Sequence, residues 1–282
     1  MRTRLVGDVR TSAIGLGCMP MSVEDFHVPH DRCIATIHAA LDAGVRLLDT
    51  ADAYSPTAAM GHNEAIVAEA LRTWPGDADD VLVATKGGLV RPADDEYAPD
   101  GRPEHIRAAC DASLRRLGVE AIGLYQHHVP DPQVPYEESV GALAELREAG
   151  KVRMVGVCNV TSEHLDRARA VTEIASVQNA LSPGRRDHVA LAGQCEDLGI
   201  ALLAHSPFGG VLDADTLARR APAMQAIADE RGVSVHQVCL AWLLALAANV
   251  IPIPGSSRPA TATASARAVD LRLSPDEVAR LS

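Results

Sequence analysis

The chain has 282 residues, 47% of them hydrophobic, with 26 Lys plus Arg against 37 Asp plus Glu and a formal net charge of −11. So acidic a balance argues against a broad nucleic-acid-binding face and a polybasic membrane patch, although not against a local basic pocket for one phosphate. The six cysteines form no C-x-x-C pair, no apolar signal core follows Met1, and no run of 18 apolar residues occurs. Together these predict a cytoplasmic protein with reduced thiols, no metal site and no membrane span.

In chain order, Leu5-Val-Gly-Asp-Val-Arg-Thr-Ser sets a Gly-Asp turn between two short extended pieces, which predicts a hairpin. Short apolar runs suited to buried strands follow at residues 14–17, 45–49, 81–85, 122–126, 152–157, 175–178, 201–204 and 250–253. Amphipathic stretches between them predict helices over 31–43, 63–72, 103–117, 136–149, 162–171, 187–198 and 221–247, the last broken near Gly232, with another after Pro259. Strands too uniformly apolar to have a wet face imply a parallel sheet covered by helices. Eight such units predict an α/β chain folded as a single (β/α)₈ TIM barrel, one domain over residues 1–282, with the hairpin closing its bottom. A Rossmann sheet lacks its fingerprint here, because Gly15-Leu-Gly17-Cys-Met-Pro20 has proline where the third glycine belongs.

Active residues of such a barrel gather at the C-terminal ends of its strands. The polar residues there are Asp49 and Tyr54, Lys86, His127 and His128, Asn159, Gln178 and Asn179, His205 and Ser206, and finally Ser256, Ser257 and Arg258. Asp, Tyr, Lys and His on one rim suggest proton transfer at a carbonyl. A free tyrosine, with a pKa of ~10, is a poor acid at neutral pH; a neighbouring ammonium lowers that value, and a carboxylate holds the ammonium. Singly, each residue has a plainer role: Asp49 as a loop cap, Tyr54 as a rim residue, Lys86 as a solvated charge, His127 as loop packing. Their order along successive strand ends makes such coincidence improbable.

Six segments carry a resemblance. Leu47-Leu-Asp49-Thr-Ala-Asp52-Ala-Tyr54, Ala84-Thr-Lys86-Gly, Leu124-Tyr-Gln126-His-His128, Gly150-Lys-Val-Arg-Met-Val-Gly-Val-Cys158-Asn159, Val177-Gln178-Asn179 and Pro252-Ile-Pro254-Gly-Ser256-Ser-Arg258 resemble those of aldo-keto reductases, in the family's order and over essentially the whole chain. The resemblance implies metal-free, NADPH-dependent reduction of an aldehyde or ketone. It makes Tyr54 the general acid, Lys86 the group that lowers its pKa, Asp49 the partner of Lys86, and His128 rather than His127 the residue that orients the carbonyl. It further implies that Asn159 and Gln178 hold the nicotinamide carboxamide and that Ser206 contacts the pyrophosphate. Ser256 and Arg258 take the adenosine phosphate end, where Gly-Ser-Ser-Arg-Pro opens a helix whose free N–H groups favour an anion.

Departures from the family pattern modify those expectations. Cys158 stands where a serine often precedes the asparagine, and Gly255 where a lysine often precedes the serine. Thr261, Ala264 and Ser265 replace an arginine and polar adenine contacts, leaving Arg258 as the main cation. His205 replaces an aromatic that stacks on the nicotinamide. An imidazole of ordinary pKa, ~6.5, predicts that the cationic oxidised cofactor binds less well as pH falls from about 7.5 to about 5.5. A second reading on the same fold is a non-catalytic or very slow NADPH-binding regulator. The expected partner is a small-molecule carbonyl substrate, with no nucleic acid and no membrane, and the chain is expected to be a monomer or a small homo-oligomer.

Overall fold

A Gly-Asp turn, with Gly7 at φ 56°, joins β1 (Thr3–Val6) to β2 (Val9–Ser12) as an antiparallel pair. In the computed structural model, which describes residues 1–22, 28–56, 58–93, 96–210 and 213–281, this hairpin is followed by alternating strands and helices. They are β3 (Leu16–Gly17), α1 (His30–Asp42), β4 (Leu47–Asp49), α2 (His62–Thr73), β5 (Leu82–Gly87), β6 (Leu89–Val90), β7 (Ala98–Pro99) and α3 (Pro103–Leu117). Next come β8 (Ile122–His127), α4 (Tyr136–Glu148), β9 (Val152–Cys158), α5 (Ser162–Val171), β10 (Ser176–Ala180), α6 (Val189–Asp197) and β11 (Ala201–His205). The chain continues through α7 (Leu217–Arg220), α8 (Pro222–Arg231), α9 (Val235–Leu246), β12 (Val250–Pro252), α10 (Pro259–Arg267) and α11 (Pro275–Arg280).

Eight strands pair in parallel in the order β12-β11-β10-β9-β8-β5-β4-β3. Backbone bonds join the two ends of that sheet. Gly15 donates to the carbonyl of Pro252 at 2.9 Å and Gly17 to that of Pro254 at 3.0 Å, with a parallel bridge between Gly17 and Gly255. Glycine is required at this seam, since a Cβ on Gly17 would stand 2.9 Å from the Ile253 carbonyl oxygen. The sheet thereby closes into the expected (β/α)₈ barrel.

Inside the barrel, Leu47, Leu82, Leu124, Met154, Leu203 and Ile251 fill the axis, and Val6 of the hairpin packs against them as a floor. The outward faces of the strands bury a second apolar layer beneath the helices, for example Ile122, Tyr125, Val155 and Val157 with Val140 and Leu143 of α4. Gly232, at φ 63°, ends α8, and a capping box of Ser234 with Gln237 opens α9, which explains the break in the 221–247 stretch. The structure adds elements too short for periodicity to show: α7, α11 and the antiparallel pair β6–β7. It also extends β5 to Gly87, so Lys86 lies within its strand rather than beyond it. No helix among the described residues is long and apolar enough to cross a membrane, and none of their side chains form a group able to hold a metal ion.

Candidate active site

Because successive strand residues face opposite sides, Lys86 points into the barrel mouth and is fully buried there. Its Nζ donates to Asp49 Oδ1 at 2.9 Å, to Asp49 Oδ2 at 2.8 Å and to the Thr50 carbonyl at 2.8 Å. Burial disfavours the ammonium, but Asp49, with smaller help from Tyr54 and Cys158, holds the Lys86 pKa above its ordinary value. The same Nζ stands 4.9 Å from the ring centroid of Tyr54, whose edge meets His128 with centroids 5.6 Å apart. The sequence-predicted four, Asp49, Tyr54, Lys86 and His128, are therefore one cluster.

Burial and charge compete at this cluster. Burial pushes the Tyr54 phenol up to about 12; Lys86 pulls it down and Asp49 pushes it back up. Desolvation wins over the ammonium, so Tyr54 keeps its proton at neutral pH. His128 is held well below its ordinary pKa by burial and then by Lys86, and is neutral. Its Nδ1 is buried without a partner among the described residues. A neutral imidazole beside a protonated phenol offers N–H and O–H groups, the donors a carbonyl oxygen needs.

The next strand ends carry backbone strain. Asn159, at φ 56°, and Ser206, at φ 50°, are the non-glycine residues with left-handed backbone among those described, each directly after its strand. Such conformations are costly for residues with a Cβ and concentrate at functional sites. Asn159 Nδ2 donates to the His128 carbonyl at 2.9 Å, while its Oδ1 accepts from His205 Nε2 at 3.3 Å. Nε2 then carries a proton, and Nδ1 lies 3.0 Å from Ser206 Oγ, from which a neutral ring accepts. This bonding suits a neutral ring, and burial, then Lys86, lowers the His205 pKa to about 4. That direction opposes the charging of His205 expected between about pH 7.5 and 5.5.

Gln178 reaches further than expected: its Nε2 donates to Asp49 Oδ1 at 2.7 Å. Its carbonyl oxygen stays available to a ligand. Asn179 instead ties down the start of α5, donating to the Val160 carbonyl at 2.7 Å and accepting from its N–H at 3.1 Å. His127 is 1% exposed and packs against Tyr136, the ring centroids 5.7 Å apart. Cys158 is buried, and burial pushes its thiol well up.

A cavity of about 970 Å³ runs from Asp49, Tyr54, His128, Asn159 and Gln178, past His205 and Ser206, to Ser256, Ser257 and Arg258 at the start of α10. Thr261, Ala264 and Ser265 line its far wall. Ser256 Oγ accepts from the Arg258 N–H at 3.3 Å and so folds the opening of α10. Sequence reasoning missed Arg32 of α1, which lines the same cavity. Only packing of α1 on α10 brings it there, and no motif marks it. Also unforeseen is a buried acidic pair behind Tyr54. Glu64 accepts from Thr85 Oγ1 and from Arg116 Nε, both at 2.6 Å, and burial followed by Glu64 pushes the Asp52 carboxyl well up.

The aldo/keto reductase family model matches residues 13–282. The chain belongs to that family. It is 32% identical over 279 residues to an uncharacterized oxidoreductase of Schizosaccharomyces pombe, covering 98% of this chain and 87% of the relative. Among solved structures, the glycerol dehydrogenase of Gluconobacter oxydans superposes with TM-score 0.85 at 29% identity, covering 99% of this chain and 93% of that one. An aldo/keto reductase of Klebsiella pneumoniae, solved with NADP and acetate, superposes with TM-score 0.80 at 26% identity over 99% and 93% of the two chains. This aldo-keto reductase is thus an NAD(P)H-dependent oxidoreductase acting on a small carbonyl compound.

Proposed function

We propose that the protein reduces an aldehyde or ketone to an alcohol with NADPH, and that Tyr54 delivers the proton to the carbonyl oxygen. The observation that carries this reading is the buried Asp49–Lys86 pair set against the Tyr54 ring at the head of the long cavity. The residues fit a dinucleotide. The cavity has the volume of a cofactor site, the left-handed Asn159 and Ser206 stand midway along it, and Arg258 and Arg32 bring positive charge to its other end. Asn159 and the Gln178 carbonyl would hold the carboxamide, His205 the nicotinamide face, Ser206 the pyrophosphate, and Ser256 with Arg258 the adenosine phosphate. When bound, the nicotinamide supplies the hydride.

The protein's own part is proton delivery and charge stabilisation. Neutral His128 donates a hydrogen bond to the substrate oxygen and orients it. Tyr54, protonated far above neutral pH, gives up its proton as negative charge grows on that oxygen, and nearby Lys86 stabilises the phenolate left behind. Asp49 fixes Lys86, and Gln178 fixes Asp49. Arg258 favours NADPH because a guanidinium pairs with a phosphate that NADH lacks.

NADPH absorbance with an aldehyde panel, and NADPH fluorescence for affinity, test this reading. Tyr54→Phe is expected to cut turnover by ~10²–10⁴-fold with cofactor affinity nearly unchanged. More than a tenth of wild-type turnover, with chemistry limiting in both proteins, overturns Tyr54 as the acid. Arg258→Ala is expected to weaken NADPH by roughly 1.5–3 kcal/mol and NADH far less. Tight NADPH binding with no aldehyde reduced would instead identify a regulator.

A further inference from the structure

Directly after the strand that carries Lys86, the β6–β7 pair places Leu89 and Tyr97 along the same cavity as Tyr54 and His128. Tyr97 is 41% exposed, and an exposed ring on a connection between elements has freedom to swing. Here it is held. Its phenol oxygen accepts from Arg91 Nη1 at 2.7 Å, and the guanidinium carbon lies 4.7 Å from the ring centroid. The same Nη1 donates at 2.7 Å to the carbonyl of Ser55, the residue next to Tyr54. Arg91 itself is only 9% exposed. One buried guanidinium therefore ties the Tyr97 ring to the segment that carries Tyr54.

This arrangement decides what the ring shows to a substrate. Anchored through its phenol oxygen by Arg91, the Tyr97 ring lines the cavity together with Leu89 of β6. Apart from Tyr54, His128 and the other strand-end groups, the hydroxyl and amide lining residues Ser234, Gln237, Ser256, Ser257, Thr261 and Ser265 belong to α9, α10 and the approach to them. A hydroxyl-rich substrate finds few partners near Tyr97, whereas a flat unsaturated group finds a ring held in place to stack on.

We propose that Tyr97 determines specificity for carbonyl compounds bearing an aromatic group, and that Arg91 is a positioning residue that acts through it. The assignment rests on the reading of Tyr54 as the centre of carbonyl reduction. Steady-state kinetics with benzaldehyde and glyceraldehyde read it as a ratio of kcat/KM values. Tyr97→Leu is expected to lower the benzaldehyde-to-glyceraldehyde ratio roughly 3- to 10-fold, the range of an aromatic pair, with the change in the KM for benzaldehyde. Tyr97→Phe, which keeps the ring and loses its anchor, is expected to fall between wild type and Tyr97→Leu. Arg91→Met also frees the Ser55 carbonyl, which affects both aldehydes alike, but on the ratio it should reproduce Tyr97→Phe and add nothing in the double variant, because both changes remove the same anchor of the ring. An unchanged ratio in Tyr97→Leu, or additive effects in the double variant, overturns the assignment while leaving the reductase reading intact. Failure of the wild type to reduce either aldehyde overturns both.

Discussion

At His205 one residue type admits two opposite predictions, and its bonding chooses between them. An imidazole in water would charge as pH falls through ~6.5 and would repel the oxidised nicotinamide. Here Nε2 donates to Asn159, Nδ1 accepts from Ser206, and burial lowers the pKa to about 4. A ring with a lowered pKa stays neutral until the pH approaches that value. The ratio of NADP⁺ to NADPH dissociation constants is therefore expected to stay flat from about pH 7.5 to about 5.5, equally in wild type and His205→Tyr. Fluorescence titrations at several pH values check this; a ratio that climbs in wild type alone would show that His205 charges. The same competition sets Tyr54, where desolvation prevails over a nearby ammonium.

At the scale of elements, the barrel depends on a seam that only glycine permits. A Cβ on Gly17 would approach the Ile253 carbonyl oxygen at 2.9 Å and the Gly255 main chain at 3.4 Å, neither of which can rotate away as a side chain could. Gly141, inside α4, has open space where a Cβ would stand, with nothing within 4 Å. Gly17→Ala is expected to cost ~1–3 kcal/mol by overpacking. Gly141→Ala is expected to stabilise by roughly 0.5–1 kcal/mol, because glycine in a helix interior loses the most backbone entropy. Thermal unfolding of the two variants should move Tm in opposite directions. A Gly17→Ala variant as stable as wild type would mean that the seam is not a tight backbone contact. The seam also places Ser256 beside β3, since its N–H donates to the Gly17 carbonyl at 3.4 Å, and so couples barrel closure to the far end of the cavity.

For the whole molecule, the neutral histidines His127, His128 and His205 contribute to the response to acid. Burial lowers the His127 and His205 pKa values to about 4 and holds that of His128 well below its ordinary value. Unfolded, each binds a proton near ~6.5, so between that pH and its folded value the unfolded state holds more protons. Their contribution to stability is thus complete above about 6.5 and is lost as pH falls, by roughly 1.4 kcal/mol per pH unit for each histidine. The carboxylates of Glu137 and Glu277, held down to about 2 by Arg167 and Arg231, add their loss only at lower pH. Calorimetric Tm is expected to begin falling near pH 6.5, with a shallower slope in His127→Gln. A Tm that is level down to about pH 4.5 would show that these rings are protonated in the folded protein.

Local chemistry alone determined much of this protein. Short continuous apolar runs, helix faces, the Gly7 and Gly232 turns and the strand-end residues Asp49, Lys86, His128, Asn159 and Gln178 were legible because each depends on neighbours within a few positions. The β6–β7 pair, α7 and α11 were not, being too short to show a period. Tertiary structure alone decided which charges meet and how far each is removed from water. Packing of α1 on α10 puts Arg32 into the long cavity, strand register turns Gln178 onto Asp49, and Arg91 reaches both Ser55 and Tyr97. Protonation states belong to that second category: burial is a property of the assembled barrel, and desolvation, which no spacing of residues encodes, sets Tyr54, His128 and His205.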